Sequence, residues 1–102
     1  MTPEGEVLKS CLALLHNLGI EAWRNSVGMK GGYTYGRKGS ADITGILPGG
    51  RRLDIECKAG KGRLSPEQVT FLDMITEQGG MARCVYSVDE LLDALRREGV
   101  VR

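Results

Sequence analysis

Asp42, Glu56 and Lys58 are residues whose types and spacing could support chemistry on a phosphate. They lie near the two ends of the segment ADITGILPGGRRLDIECK (41–58), in which two runs of alternating apolar and polar residues flank Pro-Gly-Gly. Such alternation around a turn predicts a β-hairpin. Carboxylate oxygens are ligands that suit Mg²⁺ and Mn²⁺, and a lysine beside them could stabilise negative charge on a phosphate.

The register of this hairpin decides whether the two carboxylates meet. Burying the apolar residues of both strands on one face requires that the numbers of paired residues sum to an even value. A three-residue turn then places Ile43 opposite Ile55 and Asp42 opposite Glu56, with Lys58 on the same face. Opposed side chains have Cβ atoms about 4.5–5.5 Å apart, so the two carboxylates would repel each other unless a cation lies nearby. The apolar set is Ala41, Ile43, Gly45 and Leu47 in the first run and Leu53, Ile55 and Cys57 in the second.

The alternative interpretation is that Asp42, Glu56 and Lys58 form the solvent-exposed face of a half-buried hairpin, where acidic and basic residues are common. Asp54 shares the face of Glu56 but lies nearer the turn, so we expect it to be solvated or paired with Arg52. Helices predicted on both sides of the sheet favour a face that is not freely solvated, and unsolvated paired carboxylates favour a metal site.

The sequence marks where the helices that position this hairpin begin and end. The first helix begins after Thr2 and ends at Gly19, residue types that favour an N-cap and a C-terminal stop. A short strand follows, and a second helix begins after Ser65, with Gln68 completing a capping box. A strand at ARCVYS and a last helix complete the order α-β-β-β-α-β-α. We expect a single α/β domain over residues 1–102, with a mixed sheet flanked by helices.

Composition narrows the class of protein. The net charge of +1 does not by itself indicate a nucleic-acid partner. Cys11, Cys57 and Cys84 lack the spacing of a disulfide framework or a zinc site, and we expect buried thiols in a reducing compartment. No apolar run reaches the length of a membrane span, and the N-terminus has no signal-peptide pattern. We therefore expect no membrane partner and a cytoplasmic location.

Residues 26–39, SVGMKGGYTYGRKG, combine five glycines with three cations and two tyrosines. This composition predicts a long, mobile loop, and such loops often carry function. The tyrosines could stack on bases while the cations follow the phosphate backbone; the alternative is a flexible basic loop with no specific contact. The glycines do not follow the order GxxxxGK[ST], so no nucleotide cofactor is expected.

Further cationic and polar residues near the hairpin could also contact phosphate. Arg24 and Asn25 follow Trp23, which we expect in the core, while Lys61 and Arg63 follow the strand that carries the lysine of the hairpin. The complete set of predicted DNA contacts is Arg24, Lys30, Tyr33, Tyr35, Arg37, Lys38, Lys61 and Arg63.

A family resemblance rests on these residues. Asp42, followed after a short hairpin by Glu56-Cys57-Lys58 within this order of elements, resembles the PD-(D/E)XK nuclease superfamily, with its restriction-endonuclease-like core. More narrowly, the segments GSADI, DIECKAGKGRLSPEQ and MARCVYSVDEL resemble the VRR-NUC domains, the virus-type replication-repair nucleases. The proline that usually precedes the first aspartate is Ala41 here. Because that proline carries no chemistry, its replacement leaves the implied mechanism intact.

The resemblance implies roles for the residues that match. Asp42, Glu56 and the backbone carbonyl of Cys57 would hold Mg²⁺ or Mn²⁺, and Lys58 would be the catalytic lysine. Gln68 matches a glutamine that the family often places near the active site, although its position in a capping box explains it equally well.

The same resemblance makes Glu6 a candidate metal ligand, because an acidic residue of the first helix approaches the metal in related nucleases. The alternative, which we favour, is that Glu4 and Glu6 only complement the positive N-terminal end of that helix.

The function implied is a metal-dependent DNA endonuclease that acts as a homodimer on branched DNA such as Holliday junctions, in a bacterial or phage-infected cell. The alternative is a non-catalytic DNA-binding module of the same fold. Clustered carboxylates argue against this alternative, because a module that only binds DNA has no use for negative charge facing phosphate.

Overall fold

The structure, a computed structural model, describes residues 1–25, 28–30, 33–35 and 37–102, and for 28–30 and 33–35 it describes the backbone alone. These residues form three α-helices, six strands and one short 3₁₀ turn. The elements in chain order are α1 (Pro3–Asn17), β1 (Glu21–Arg24), β2 (Gly28–Lys30), β3 (Tyr33–Tyr35), β4 (Ile43–Ile46), the 3₁₀ turn (Pro48–Gly50), β5 (Arg52–Cys57), α2 (Pro66–Glu77), β6 (Met81–Val85) and α3 (Val88–Arg97).

Four strands form the main sheet, in the order β1-β4-β5-β6. The first two pairings are antiparallel and the last is parallel, so the sheet is mixed, as the sequence predicts. β2 and β3 form a separate antiparallel pair, and without them the order is the predicted α-β-β-β-α-β-α. The prediction of one long loop over 26–39 is therefore wrong where these two strands lie. Its Tyr-Thr-Tyr segment is rich in residues that favour strands.

The central hairpin has the predicted register. Ile43 lies opposite Ile55 and Thr44 lies opposite Asp54, and the numbers of each pair have the same sum. The 3₁₀ turn replaces a simple three-residue loop, and Gly49 and Gly50 have φ values of 85° and 83° there. Only glycine adopts such values at little cost, so the Pro-Gly-Gly sequence fixes the turn, and the turn fixes the register.

Helices cover both faces of the sheet. α1 and α3 pack on one face, and α2 packs on the other, mainly on β5 and β6. The first core includes Leu8, Cys11, Leu15, Ile43, Leu53, Ile55, Cys57, Leu91 and Leu95. The second contains Ala41, Phe71, Leu72 and Ile75. Ala41 thus packs with α2 instead of with Ile43, because regular β4 begins only at Ile43. None of the described helices is both long and apolar enough to cross a membrane.

Asp54 is fully buried, and its partners account for its charge. Arg52 donates to it from Nε at 2.7 Å, and Thr44 Oγ1 donates to its Oδ1 at 2.9 Å. The hydrogen bond to Asp54 also raises the pKa of the Arg52 guanidinium. Of the two roles expected for Asp54, the Arg52 pair is confirmed and the solvated position is wrong.

Trp23 is 45 % exposed, so the expected core position is wrong. An α-helix with its side chains is about 10–12 Å wide, whereas neighbouring strands lie about 4.8 Å apart. One helix therefore covers about two strands. α2 lies over β5 and β6, and Trp23 on β1 is left beyond its edge.

Candidate metal centre

Asp42 and Glu56 lie side by side at the end of the central hairpin, and each carboxylate accepts a hydrogen bond from a backbone N–H of the neighbouring strand or of the residue that leads into it. The backbone N–H of Asp42 donates to Glu56 Oε1 at 3.1 Å, and the backbone N–H of Cys57 donates to Asp42 Oδ2 at 2.8 Å. Glu56 is only 2 % exposed. The hairpin therefore holds two carboxylates of neighbouring strands in fixed orientations, as the register predicts.

Lys58 approaches the same pair of carboxylates. Its Nζ lies 3.4 Å from Glu56 Oε2, and its side chain is 12 % exposed. A lysine this well shielded from water keeps a defined position, because its flexible stem is packed instead of solvated. The ammonium is thus held beside the carboxylates, where it can act on a negatively charged group that they bind.

Gln68 joins the centre from the first turn of α2. Its Oε1 accepts from the backbone N–H of Ser65 at 2.9 Å, while its Nε2 donates to Glu56 Oε2 at 2.8 Å. Ser65 Oγ in turn accepts from the backbone N–H of Gln68 at 3.2 Å. The two interpretations of Gln68 are therefore compatible, because one end of its amide caps the helix and the other end contacts the carboxylate pair.

The first helix contributes Glu4 to the centre. One carboxylate oxygen from each of Glu4, Asp42 and Glu56 lies within 4.8 Å of the others, a spacing that could hold a metal ion. Glu6, the residue suggested from the sequence, lines a different depression, with Met1, Lys9, Ser10 and Ala13.

The helical period explains this correction from Glu6 to Glu4. The buried residues of α1 are Leu8, Cys11 and Leu15, and Glu4 extends this stripe by one turn towards the N-terminus, at a spacing of four residues. Glu6 lies off the stripe, so its carboxylate points away from the end of the hairpin.

Burial and charge act together on Glu56. Loss of solvent raises the pKa of its carboxyl from an ordinary value of 4.5 to about 7, and the nearby Asp42 charge adds to the rise. Lys58 opposes both effects but does not cancel them. A raised pKa of this kind means that the charged form of Glu56 lacks sufficient positive charge around it.

A cavity of about 490 Å³ opens at these carboxylates. Two cations line it: Arg24, from the end of β1, and Lys38, whose Nζ lies 3.3 Å from Glu67 Oε1. The remaining lining residues are Asn25, Gly39, Ser40, Ala41, Asp42, Glu56, Ser65, Glu67 and Gln68. The cavity therefore combines an acidic floor with basic residues, a combination suited to a metal ion together with a phosphate.

Comparison with known proteins agrees with this geometry. The model of the VRR-NUC domain family matches residues 2–89, which is most of the chain. The chain belongs to the VRR-NUC domain family. A solved structure described as a VRR_NUC domain superposes on it with a TM-score of 0.70 and 25 % sequence identity, over 95 % of this chain and 97 % of the other. No curated protein sequence matches the chain. Membership in this family implies a nuclease-type function and DNA as the substrate.

The other predicted DNA contacts of this VRR-NUC domain fall into three groups. Arg37 lies over the ring of Phe71, with its Cζ 5.4 Å from the ring centroid, so its guanidinium packs against α2. Lys61 and Arg63 are exposed on the segment after β5 and are not among the residues that line the cavity. The side chains of Lys30, Tyr33 and Tyr35 lie outside the described part of the chain.

The sequence predicted neither Glu4 in the carboxylate cluster nor Ser40 at the cavity, and it predicted Asn25 as a phosphate contact and not as a neighbour of Asp42. Glu4 could have been found from the stripe of buried residues in α1. Asn25 donates from its backbone N–H to the carbonyl of Asp42 at 2.7 Å, a contact that follows from extending the β1–β4 register by one residue. Ser40 carries no comparable signal in the sequence, since it lies in the irregular segment before β4.

Proposed function

We propose that this VRR-NUC domain is a metal-dependent DNA endonuclease that hydrolyses phosphodiester bonds. One observation carries the proposal: carboxylates from α1, β5 and the residue preceding β4 converge within 4.8 Å of one another, with the ammonium of Lys58 beside them. A fold that needed only stability would not gather like charges from three elements, because each such contact costs free energy.

The charges of the centre fit a divalent cation. Glu4, Asp42 and Glu56 supply three carboxylates, and among the described residues Lys58 is the cation paired with one of them, Glu56. Two negative charges therefore remain uncompensated when all three acids are ionised. Hard oxygen donors are the ligands that suit Mg²⁺ and Mn²⁺, and the backbone carbonyl of Cys57 is proposed as a further ligand.

When bound, the divalent cation supplies a Lewis acid that polarises the phosphodiester and favours ionisation of water. The residues of the chain stabilise charge on the phosphate, position a metal ligand and bind the DNA backbone. Lys58 stabilises the negative charge that develops on the phosphate oxygens. Gln68 holds Glu56 in place through its amide, and Arg24 and Lys38 draw the phosphate backbone into the cavity.

We further propose a homodimer that acts on branched DNA, including Holliday junctions. The described residues of this 102-residue chain contain one carboxylate cluster that could hold a metal ion, and a branched substrate offers two strands to cut. Two copies would place one centre on each strand. Light scattering of the protein with and without four-way DNA tests this, and a monomer under both conditions contradicts it.

A cleavage assay tests the catalytic proposal. The wild-type protein is incubated with linear, nicked, flapped and four-way DNA in Mg²⁺, in Mn²⁺ and in EDTA. We expect cleavage that requires metal and is lost in both Asp42→Asn and Lys58→Ala. Asp73→Asn, which removes an exposed acid of α2 remote from the lining of the cavity, is the matched control and should cleave like the wild type.

The variants must retain the circular dichroism spectrum of the folded protein. Cleavage that survives either active-site substitution contradicts the assignment of Asp42 and Lys58 to the catalytic centre. DNA binding that is salt-sensitive and occurs without any cleavage supports the binding module instead.

A further inference from the structure

The face of the sheet that carries the carboxylates continues to an exposed tryptophan. Trp23 lies opposite Thr44, which lies opposite Asp54. The next row on the same face consists of Asn25, Asp42 and Glu56, since the backbone N–H of Asn25 donates to the carbonyl of Asp42. Two residues along a strand span about 7 Å, so Trp23 stands one row from the proposed metal ligands.

Trp23 occupies a part of this face that α2 does not cover. It is 45 % exposed, and Ile46, in the following row, is 48 % exposed. A single exposed apolar residue needs no explanation, but here two large ones lie on the part of one sheet face that α2 does not cover, with Trp23 next to the candidate site. An exposed apolar surface of this kind is typical of a site where a partner or a ligand binds.

The surroundings of Trp23 favour nucleic acid as the occupant. The two residues that follow it, Arg24 and Asn25, line the cavity together with Asp42 and Glu56. A strand whose phosphate sits at the carboxylates would therefore pass Arg24 with its backbone and bring a neighbouring base over the indole. Aromatic side chains bind bases by stacking, and cations beside them follow the phosphates.

We propose that Trp23 is a stacking platform for an unpaired base next to the phosphodiester that is cut. This inference rests on the proposed nuclease function and deepens it. A base inside an intact duplex has both faces covered by its neighbours, whereas a base in a flap, a branch or a single strand has a free face. The preferred substrate is thus DNA with unpaired nucleotides beside the site of cleavage.

Fluorescence provides a direct test, because Trp23 is the only tryptophan in the chain. The metal-free wild-type protein is titrated in EDTA, where no cleavage occurs, with an oligothymidine, with a flapped duplex and with a blunt duplex of equal length. We expect the single strand and the flap to quench the indole emission strongly and the blunt duplex to quench it weakly. The same DNA added to N-acetyltryptophanamide corrects for absorbed light.

Variants at the same position give a second measurement. Trp23→Ala should weaken binding of the flapped DNA by about tenfold or more, as expected for the loss of one stacked base. Trp23→Phe should recover part of that loss. Leu18→Ala, a change of an exposed apolar residue at the end of α1 that does not line the cavity, should bind DNA like the wild type.

Several outcomes overturn the proposal. An emission unchanged at saturating flapped DNA, or equal affinity of folded Trp23→Ala and wild type, excludes a stacked base. A second copy of the chain occupies this face if the indole emission changes with protein concentration and not with DNA concentration. In that case both Trp23→Ala and Ile46→Ala should disrupt a dimer. Quenching in EDTA without metal-dependent cleavage supports the platform while refuting the nuclease, so the two failures are distinguishable.

Discussion

Gln68 Nε2 donates to Glu56 Oε2 at 2.8 Å while Oε1 of the same amide accepts from the backbone N–H of Ser65. The first turn of α2 and the carboxylate on β5 are therefore joined through one side chain. Because the capping bond fixes which end of the amide faces the carboxylate, the N-terminus of the helix orients the acid.

Two substitutions of Gln68 separate its capping role from its role at the carboxylate. Gln68→Glu keeps an oxygen for the cap but replaces the N–H donor with a second negative group beside Glu56. We expect it to lower kcat by about tenfold to a hundredfold, the usual effect of losing a group that orients a metal ligand. Its Tm should fall in EDTA, where the added carboxylate repels Glu56, and should change little in Mn²⁺, which offsets the added charge. Gln68→Ala should lower both kcat and Tm, because it also removes part of the capping box. Equal kcat in Gln68→Glu and wild type contradicts the proposed orientation.

Glu4 and Glu6 form a matched pair of acids two residues apart on α1, and only Glu4 belongs to the carboxylate cluster. Glu4→Gln should weaken Mn²⁺ binding by about tenfold, by analogy with other residues whose loss perturbs a metal site, whereas Glu6→Gln should bind Mn²⁺ like the wild type. Isothermal titration calorimetry with Mn²⁺ measures both. Because each change removes one charge from the same helix end, any effect on the helix dipole is common to the two variants. The reverse order of affinities contradicts the assignment of Glu4.

The spacing of residues predicts the central hairpin in detail, because strand alternation and the Pro-Gly-Gly turn are local properties. The opposition of Ile43 and Ile55, and hence of Asp42 and Glu56, follows from them. The position of Glu4 could be predicted equally well from the sequence, since Leu8, Cys11 and Leu15 define the buried stripe that it extends. Glu6, the candidate ligand that the family resemblance suggests, lies off that period, and the favoured role for both acids at the helix N-terminus leaves out the position of Glu4 in the cluster.

Other features depend on how helices pack and cannot be obtained from local spacing. The amide of Gln68 reaches Glu56 only because α2 lies on β5; local spacing does not predict that contact, and only the family resemblance indicated a place for Gln68 near the site. Trp23 is exposed because one helix is too narrow to cover four strands, although tryptophan is on average a well-buried residue.

Glu56 should make the stability of the metal-free protein fall as pH rises. Its pKa of about 7 in the fold exceeds the ordinary 4.5, so between these values the folded chain binds more protons than the unfolded one. The contribution of Glu56 to the free energy of unfolding in EDTA should therefore be highest below pH 4.5. It should decrease by up to about 3 kcal/mol through pH 7. Urea unfolding at pH 5 and pH 8 measures the change.

Glu56→Gln is the control for this pH dependence, because contributions from Asp42, Lys58 and other groups are shared with the wild type. In EDTA at pH 8 the variant should be more stable than the wild type, since it buries no charge. Adding Mn²⁺ at pH 8 should stabilise the wild type and leave the variant nearly unchanged. Parallel pH profiles of the two proteins contradict the raised pKa.

Tyr86 connects the end of β6 to the segment that shields Lys58. Its hydroxyl donates to the carbonyl of Gly62 at 2.7 Å, and the backbone N–H of Gly62 donates to the carbonyl of Ala59 at 2.9 Å. A Cβ atom placed on Gly62 would lie 3.6 Å from Lys58 Cδ, so this glycine packs against the lysine stem. The hydroxyl of Tyr86 therefore restrains the turn that restrains Lys58.

Tyr86→Phe tests this restraint by removing the hydroxyl alone. We expect a loss of stability of about 1 kcal/mol or less, the usual contribution of one hydrogen bond. We also expect kcat to fall several-fold at unchanged KM, because the ammonium of Lys58 is held less firmly. Equal kcat in folded Tyr86→Phe and wild type, or a rise in KM in place of the fall in kcat, would contradict this restraint of Lys58.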